Sequence, residues 1–142
     1  MTAHPGVAER LILEITEPSA MLVPEIVTAF MDDLQGRGVA FALDDFGSGS
    51  TIVRYFKDFF FDMVKVDGQF VRNLNIDPAN QSVVAALIGI AKQFDMYVVA
   101  EAVESEAEAA VLRAMGVDCL QGYLFGAPTV RPFWAREEAK QA

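Results

Sequence analysis

The sequence has one cysteine, few basic residues and no long apolar run, and each shortage excludes a class of protein. Cys119 cannot form an internal disulfide, which predicts a reducing, cytoplasmic setting. Lys and Arg number 11 against 20 Asp and Glu, so the formal net charge is −9 and no basic stripe is available for a DNA or RNA polymer. The longest apolar run, residues 83–91, is far shorter than the about 20 residues of a membrane-spanning helix.

Other signals are missing as well. The sequence has neither a nucleophile elbow nor a glycine-rich phosphate-binding loop, which argues against another parallel α/β hydrolase. Its first residues lack the charged and apolar segments of a signal peptide, and His4 among them is interpreted as having no role. Cys119, on an apolar segment, is predicted to be a buried small side chain. The acidic charge does not exclude a small phosphorylated ligand, because bound divalent cations reverse the local field.

Short apolar segments alternate with longer helical patterns along the chain. The predicted strands are residues 11–15, 39–43, 63–66, 97–100 and 117–121. Pro24 begins one helix, Asp77 and Pro78 have the N-cap and first positions of another, and Ser105 and Glu108 have capping-box spacing. This alternation predicts an α/β fold with a parallel sheet.

The length predicts a single domain. With 142 residues, 53% of them hydrophobic, and a mean hydropathy of +0.28, the chain suits one domain whose strands are covered on both faces. We expect a core of about residues 11–134, with tails at 1–10 and 136–142. A complete (β/α)8 barrel needs about 250 residues. The composition therefore fits equally a fragment that exposes surface which a missing part would cover.

Each predicted strand carries one polar side chain near its carboxyl end. These residues are Glu14, Asp44, Lys65, Glu101 and Gln121. The carboxyl ends of parallel strands lie on one side of a sheet, where α/β folds place their chemistry. With Asp45 included, we expect four acids, a lysine and an amide to lie together at the carboxyl-end side of the sheet. Carboxylates about 5 Å apart repel by about 3 kcal/mol per pair at an effective dielectric near 20, so the cluster must be protonated or bind cations.

The donor types indicate a hard divalent cation. Asp and Glu oxygens suit Mg²⁺ or Mn²⁺, and Lys65 can donate to a phosphate or a metal-bound water. Acids with two metals and a cation are typical of phosphodiester hydrolysis. Taken alone, Asp44 and Asp45 are explained equally well as a helix N-cap pair. Glu14 and Glu101 at neighbouring strand ends favour the metal interpretation.

The order and spacing of five segments resemble the EAL-domain family of cyclic-di-GMP phosphodiesterases. The segments are residues 14–17, 41–49, 64–71, 99–104 and 121–128. Their strand-end residues are 30, 21, 36 and 20 positions apart, and the resemblance covers about residues 11–128. It implies a TIM-type (β/α)8 barrel that binds cyclic-di-GMP and linearises it to pGpG with Mg²⁺ or Mn²⁺, two ions per complete site.

The resemblance also implies roles for residues. The metal ligands would be Glu14, Asp44, Asp45 and Glu101. Lys65 would position the attacking water or stabilise developing charge, and Glu101 and Glu104 would complete the catalytic set, with Glu104 contacting that network or bound water. Gln121 would bind substrate at the far wall of the site, and Glu17 would brace a neighbouring loop. From the residues alone, Glu17 and Glu104 are explained equally well as solvated loop acids.

The chain departs from the family pattern in three ways. The family's Glu-Ala-Leu strand and the next strand's Asn, both metal ligands, do not occur before residue 11, so about five of eight strands are expected. Ser50 replaces the usual tyrosine, and Ala102 the usual glycine. Five strands cannot close this barrel. We therefore expect impaired catalysis in the chain alone, and a homo-oligomer or a partner chain that completes the barrel. The alternative is a degenerate module that binds cyclic-di-GMP or a protein partner.

Overall fold

A sheet of five parallel strands, in the order of the chain, organises the fold. The computed structural model describes residues 6–16, 24–48 and 56–130, and a 3-10 turn, Ala8–Arg10, precedes the sheet. The strands are β1 (Ile12–Thr16), β2 (Ala40–Phe46), β3 (Met63–Val66), β4 (Tyr97–Ala100) and β5 (Cys119–Leu120). The helices are α1 (Pro24–Gln35), α2 (Gly68–Val71), α3 (Pro78–Gln93) and α4 (Glu106–Met115). The predicted α/β class, with five parallel strands and helices, is confirmed.

The predicted helix signals act where the sequence places them. The Asp77 carboxylate accepts a hydrogen bond from the N–H of Ala79 at 2.9 Å, and Pro78 occupies the first turn of α3. At α4, Ser105 and Glu108 form the reciprocal capping box. These caps fix where the chain turns from the loops that follow β3 and β4 into the next helix.

Two strands and one side chain differ from the prediction. Strand β2 continues past residue 43 to Phe46, because a bulge lets it keep pairing with β3. Strand β5 spans two residues instead of the five predicted at 117–121. Cys119 is exposed, and its predicted burial was wrong. An apolar strand pattern does not bury a side chain at a sheet edge, where no described element covers it.

One face of the sheet is buried under helices, and the other is exposed in part. Val64 and Val98 on the helix-covered face have no exposed surface. Ile12 and Tyr97 on the opposite face are 52% and 63% exposed. Because side chains alternate along a strand, these two residues share their face with the acids near the carboxyl ends of β1 and β4. Parallel sheets are normally covered on both faces, whereas the described residues cover this face only in part.

Several predicted features lie outside the described residues. They include the tail at 136–142, residues 1–5 of the amino-terminal tail and residues 131–134 of the expected core. Phe59 and Phe61 are buried, whereas the neighbouring Phe60 is exposed. Within the described ranges, no helix has both the length and the apolar character needed to cross a membrane.

Candidate active site

A buried lysine joins the carboxyl ends of three strands. Lys65, the third residue of β3, is 5% exposed. Its Nζ lies 2.7 Å from Glu14 Oε1 on β1 and 2.6 Å from Glu101 Oε1, directly after β4. These two ion pairs bring polar residues from strands 51 and 36 positions apart in the chain to the same rim of the sheet.

The bulge in β2 adds two neighbouring acids to this rim. Leu43 pairs with Val64 and Phe46 with Val66, so three steps on β2 match two on β3. Asp45 lies at the bulge with a left-handed φ of 57° and donates its N–H to Asp44 Oδ1 at 2.9 Å. In a regular strand, consecutive side chains point to opposite faces. The bulge instead lets both carboxylates serve one site.

The carboxylates suit a hard divalent cation. One oxygen each from Asp44, Asp45 and Glu101 lies within 4.8 Å of the others. Oxygen atoms on opposite sides of a Mg²⁺ ion, at about 2.1 Å each, are about 4.2 Å apart. The limit of 4.8 Å slightly exceeds this separation, so small side-chain movements would bring the three oxygens around one ion, and the donor type is the one that Mg²⁺ and Mn²⁺ prefer.

The pKa shifts indicate that the negative charges at this rim outnumber the positive ones. Burial opposes the charge of Lys65, but hydrogen bonds to Glu101 and Glu14 outweigh it and raise the lysine pKa. The pKa of Glu101 is raised by burial and by the charges of Asp44 and Glu14, which the contact with Lys65 offsets only in part. The pKa of Asp45 is likewise raised, by burial and then by neighbouring acids. A bound cation would relieve both effects.

Asp67 contributes to the electrostatic field of the rim, although no role was expected for it from the sequence. Its charge is one of the causes that raise the pKa of Asp45. Its carboxylate also accepts the N–H of Gln69 at 2.8 Å as the N-cap of α2. The available signal was its position two residues after Lys65, which in an extended segment places both side chains on one side.

Glu108 has a second role that the sequence did not indicate. Besides its part in the capping box, its Oε1 accepts the N–H of Asn73 at 2.9 Å, while Oε2 accepts those of Glu104 at 2.9 Å and Ser105 at 3.1 Å. The residue is 5% exposed. Burial opposes its ionisation, but the three backbone donors and the Ser105 hydroxyl together lower its pKa below the ordinary value.

The remaining predicted site residues, where the structure describes them, have no side-chain hydrogen bond or ion pair to Lys65 or the acids. Glu104 is exposed, and among the described residues no hydrogen bond or ion pair joins its carboxylate to Lys65 or the acids. Gln121 is also exposed; its backbone accepts from Val103 and donates to Ala100, at 3.0 and 2.9 Å. Glu17 and Ser50 lie outside the described residues. The roles assigned to these side chains stay predictions.

Ala102 adopts a conformation that favours glycine. Its φ is 55°, in the left-handed region that costs an L-residue roughly 1–2 kcal/mol. Gly68, the first residue of α2, packs against it so closely that a Cβ added to Gly68 would lie 2.6 Å from the Ala102 Cβ. The loops that follow β3 and β4 therefore meet without a side chain between them on the Gly68 side.

Comparison with known families identifies the family of this chain. The family model described as EAL domain matches residues 1–128. The chain belongs to the EAL domain family. Cyclic di-GMP phosphodiesterase PdeL of Escherichia coli K12 is 35% identical over 119 residues, covering 84% of this chain and 33% of PdeL. The bifunctional diguanylate cyclase/cyclic di-GMP phosphodiesterase MucR of Pseudomonas aeruginosa is 34% identical over 83% of this chain and 17% of MucR.

Solved EAL domains share the fold. The EAL domain of Mycobacterium smegmatis DcpA aligns with a TM-score of 0.82 and 33% identity, over 91% of this chain and 58% of that chain. The manganese and cyclic-di-GMP complex of Klebsiella pneumoniae BlrP1 aligns with a TM-score of 0.79 and 30% identity, over 85% of this chain and 31% of that one. The five strands thus form part of a TIM-type barrel. The chain spans about a third or less of the length of these curated relatives.

Proposed function

We propose that this EAL chain contributes most of the metal-binding acids of a phosphodiesterase that hydrolyses cyclic-di-GMP to pGpG with Mg²⁺ or Mn²⁺. The observation that carries the proposal is the cluster of Asp44, Asp45 and Glu101 oxygens within 4.8 Å of one another, beside the lysine pair. The names of the relatives support the reaction, and the BlrP1 complex supports a divalent cation with this nucleotide.

The proposed roles keep those expected from the sequence. Asp44, Asp45 and Glu101, whose oxygens cluster, would hold the metal together with Glu14, which lies outside that cluster and pairs with Lys65; a complete site would hold two ions. When bound, such ions polarise a phosphoryl oxygen and lower the pKa of a bound water. Lys65 has three N–H donors; two serve Glu14 and Glu101, and the third would orient the attacking water or stabilise charge on the phosphate. Water then adds across one of the two phosphodiester bonds, which opens the ring to pGpG.

Three further residues keep their predicted roles as proposals. Glu104 would act through bound water, since its exposed side chain does not contact the cluster among the described residues. Gln121, exposed beside the end of β5, would contact the nucleotide. Glu17 would brace the loop that follows the Asp pair.

We further propose that the 142-residue chain by itself has little or no turnover. The edges of its sheet are β1 and β5, and its inner face exposes apolar residues such as Ile12. A second copy or a partner segment would cover this surface and complete the barrel. The proposed setting is the cytoplasm.

One observation favours a second candidate. Ala102, which stands where the family pattern has glycine, adopts a left-handed φ of 55° directly after Glu101, and a strained residue beside this acid fits a site that no longer catalyses. A degenerate module would then bind cyclic-di-GMP or a protein partner without hydrolysis.

A chimera separates an incomplete site from a degenerate one. Residues 1–128 would replace the matched segment of PdeL, so that the barrel is complete whatever this chain lacks. We expect the chimera to convert cyclic-di-GMP to pGpG with Mn²⁺ in chromatographic assays, and the isolated chain to give little product. Asp44→Asn in the chimera is the matched inactive control.

The other outcomes decide between the candidates. A folded chimera that binds cyclic-di-GMP in calorimetry but makes no pGpG would favour the degenerate module. A folded chimera that binds neither nucleotide nor Mn²⁺ would contradict both the enzyme and the nucleotide-binding module.

A further inference from the structure

A single buried carboxylate holds together the loops that follow β3 and β4. Glu108 lies in the first turn of α4, yet its Oε1 reaches Asn73 in the segment after α2, 35 residues earlier. Its Oε2 accepts from Glu104 and Ser105, in the loop after β4. A helix cap alone needs only the second set of contacts. The bond to Asn73 is therefore an addition to the cap.

A second, independent contact joins the same two loops. Gly68 packs against the methyl group of Ala102 with no room for a Cβ. Gly68 comes three residues after Lys65, and Ala102 directly follows Glu101. The loops are therefore fixed to each other by two separate contacts, one of them immediately beside the Lys65–Glu101 ion pair.

We infer that Glu108 is a positioning residue that clamps these loops and thereby sets the separation of Lys65 and Glu101. Its relevance to metal binding rests on the proposed function; the clamp itself does not. Supporting partners outside a metal's ligands typically change metal affinity 10- to 100-fold when they are replaced. The low pKa of Glu108 agrees with a carboxylate that stays ionised to serve its three backbone donors.

Glutamine at this position separates the clamp from the cap. Glu108→Gln has one acceptor oxygen, which can serve Glu104 and Ser105, and its NH₂ group then faces the N–H of Asn73. The capping box survives and the bridge between loops is lost. Ser105→Ala is the matched control, because it removes the hydroxyl that accepts the Glu108 N–H and leaves the bridge in place.

Two measurements on the 142-residue chain test the inference. Hydrogen exchange follows the Glu101 amide, which donates to Val66 O at 3.3 Å across the rim, against the Val98 amide at the other end of β4 as internal reference. In Glu108→Gln we expect the Glu101 amide to exchange about tenfold faster and the Val98 amide to be unchanged. Calorimetry with Mn²⁺ should show about tenfold weaker binding. Ser105→Ala should leave both measurements near wild type.

A second pair of variants acts on the clamp from the other side. Gly68→Ala should raise exchange at Glu101 because its methyl group collides with Ala102, and Gly68→Ala with Ala102→Gly should restore wild-type exchange. If Glu108→Gln leaves Glu101 exchange unchanged, or Ser105→Ala changes it equally, the inference is wrong. If the wild-type chain binds no Mn²⁺, calorimetry on the PdeL chimera, in which the barrel is complete, decides the proposed function, while hydrogen exchange still decides the clamp.

Discussion

Acids stand at both ends of this sheet, and they are used differently. At the amino end, Asp62 Oδ2 accepts the N–H of Phe41 and Asp118 Oδ2 accepts that of Val98, each at 2.8 Å. At the carboxyl end, Glu14 and Glu101 share one lysine. Acids that accept from backbone N–H groups of a neighbouring strand stabilise the sheet, whereas crowded acids with one cation remain available for a ligand. This is the division between the two faces of a TIM-type barrel.

Removing the lysine should have the largest effect. Lys65→Met in the PdeL chimera leaves Glu14 and Glu101 without their counter-charge and takes away the donor proposed for the water or phosphate. We expect pGpG formation to fall by about 10²- to 10³-fold. Lys92→Met, an exposed lysine in the last turn of α3, is the matched control and should keep activity within about twofold. If Lys92→Met lost as much pGpG formation as Lys65→Met, the loss would not be specific to the carboxyl end of the sheet.

The loops at the carboxyl end are also closely packed, so adding one methyl group at Gly122 should destabilise the fold. A Cβ at Gly122 would collide with the backbone O and N atoms of Val103. Because both are backbone atoms, Gly122→Ala should lower the free energy of unfolding by about 3 kcal/mol or more in urea titrations. Gly89→Ala on α3 meets nothing within 4 Å and should instead stabilise by about 0.5–1 kcal/mol. A tolerated Gly122→Ala would show that this loop can move away.

A matched pair of alanines tests the comparison directly. Asp62→Ala leaves the Phe41 N–H without its acceptor and should cost about 1 kcal/mol of stability. Asp44→Ala should cost less, but it should abolish the stabilisation by Mn²⁺, about 2.7 kcal/mol at 100 times the dissociation constant. Thermal unfolding with and without Mn²⁺ measures both. If Asp62→Ala loses the Mn²⁺ effect and Asp44→Ala keeps it, the assignment of the two ends is reversed.

The pH dependence of stability should separate satisfied from crowded acids. Glu108 has a lowered pKa, so its contribution is present above its ordinary value of 4.5 and is lost as pH falls through the lower folded-state pKa. Asp45 and Glu101 have raised pKa values, so their protonation on acidification favours the folded state. Urea titrations from neutral to acidic pH should therefore show a smaller loss on acidification in Glu108→Gln than in wild type. The opposite trend would mean that the backbone donors do not hold Glu108 ionised.

The sequence predicts all five strands, because each is a short apolar segment between helical patterns, but it ends β2 three residues early. It cannot predict the bulge, since Asp45 reaches the rim only through the register of β2 on β3. It also misplaces Cys119, because burial depends on what covers a strand and not on the strand's own composition. The contact from Glu108 to Asn73 joins residues 35 apart, whereas the capping box was predictable because it is local. Local patterns predict elements and caps, and long-range pairing determines the site.

The smallest predicted effect concerns Ala102, where the sequence departs from the family at the active end of the sheet. Ala102→Gly removes the cost of a left-handed φ of 55° in an L-residue, roughly 1–2 kcal/mol. It adds backbone entropy to the unfolded chain, which opposes by about 0.4–1 kcal/mol. The net expectation is a stabilisation of about 0.5 kcal/mol in urea titrations, with Mn²⁺ affinity unchanged.

The matched control for this backbone effect lies near the amino end of the sheet. Asp95 has a left-handed φ of 56°. Asp95→Gly therefore removes a side chain from the same backbone conformation, at a position distant in the sheet from Lys65 and its acids. Both variants should leave Mn²⁺ binding in calorimetry at the wild-type level. If Ala102→Gly strengthens Mn²⁺ binding and Asp95→Gly does not, the left-handed alanine holds Glu101 away from its best position for a metal. The carboxyl-end rim would then be strained as well as crowded.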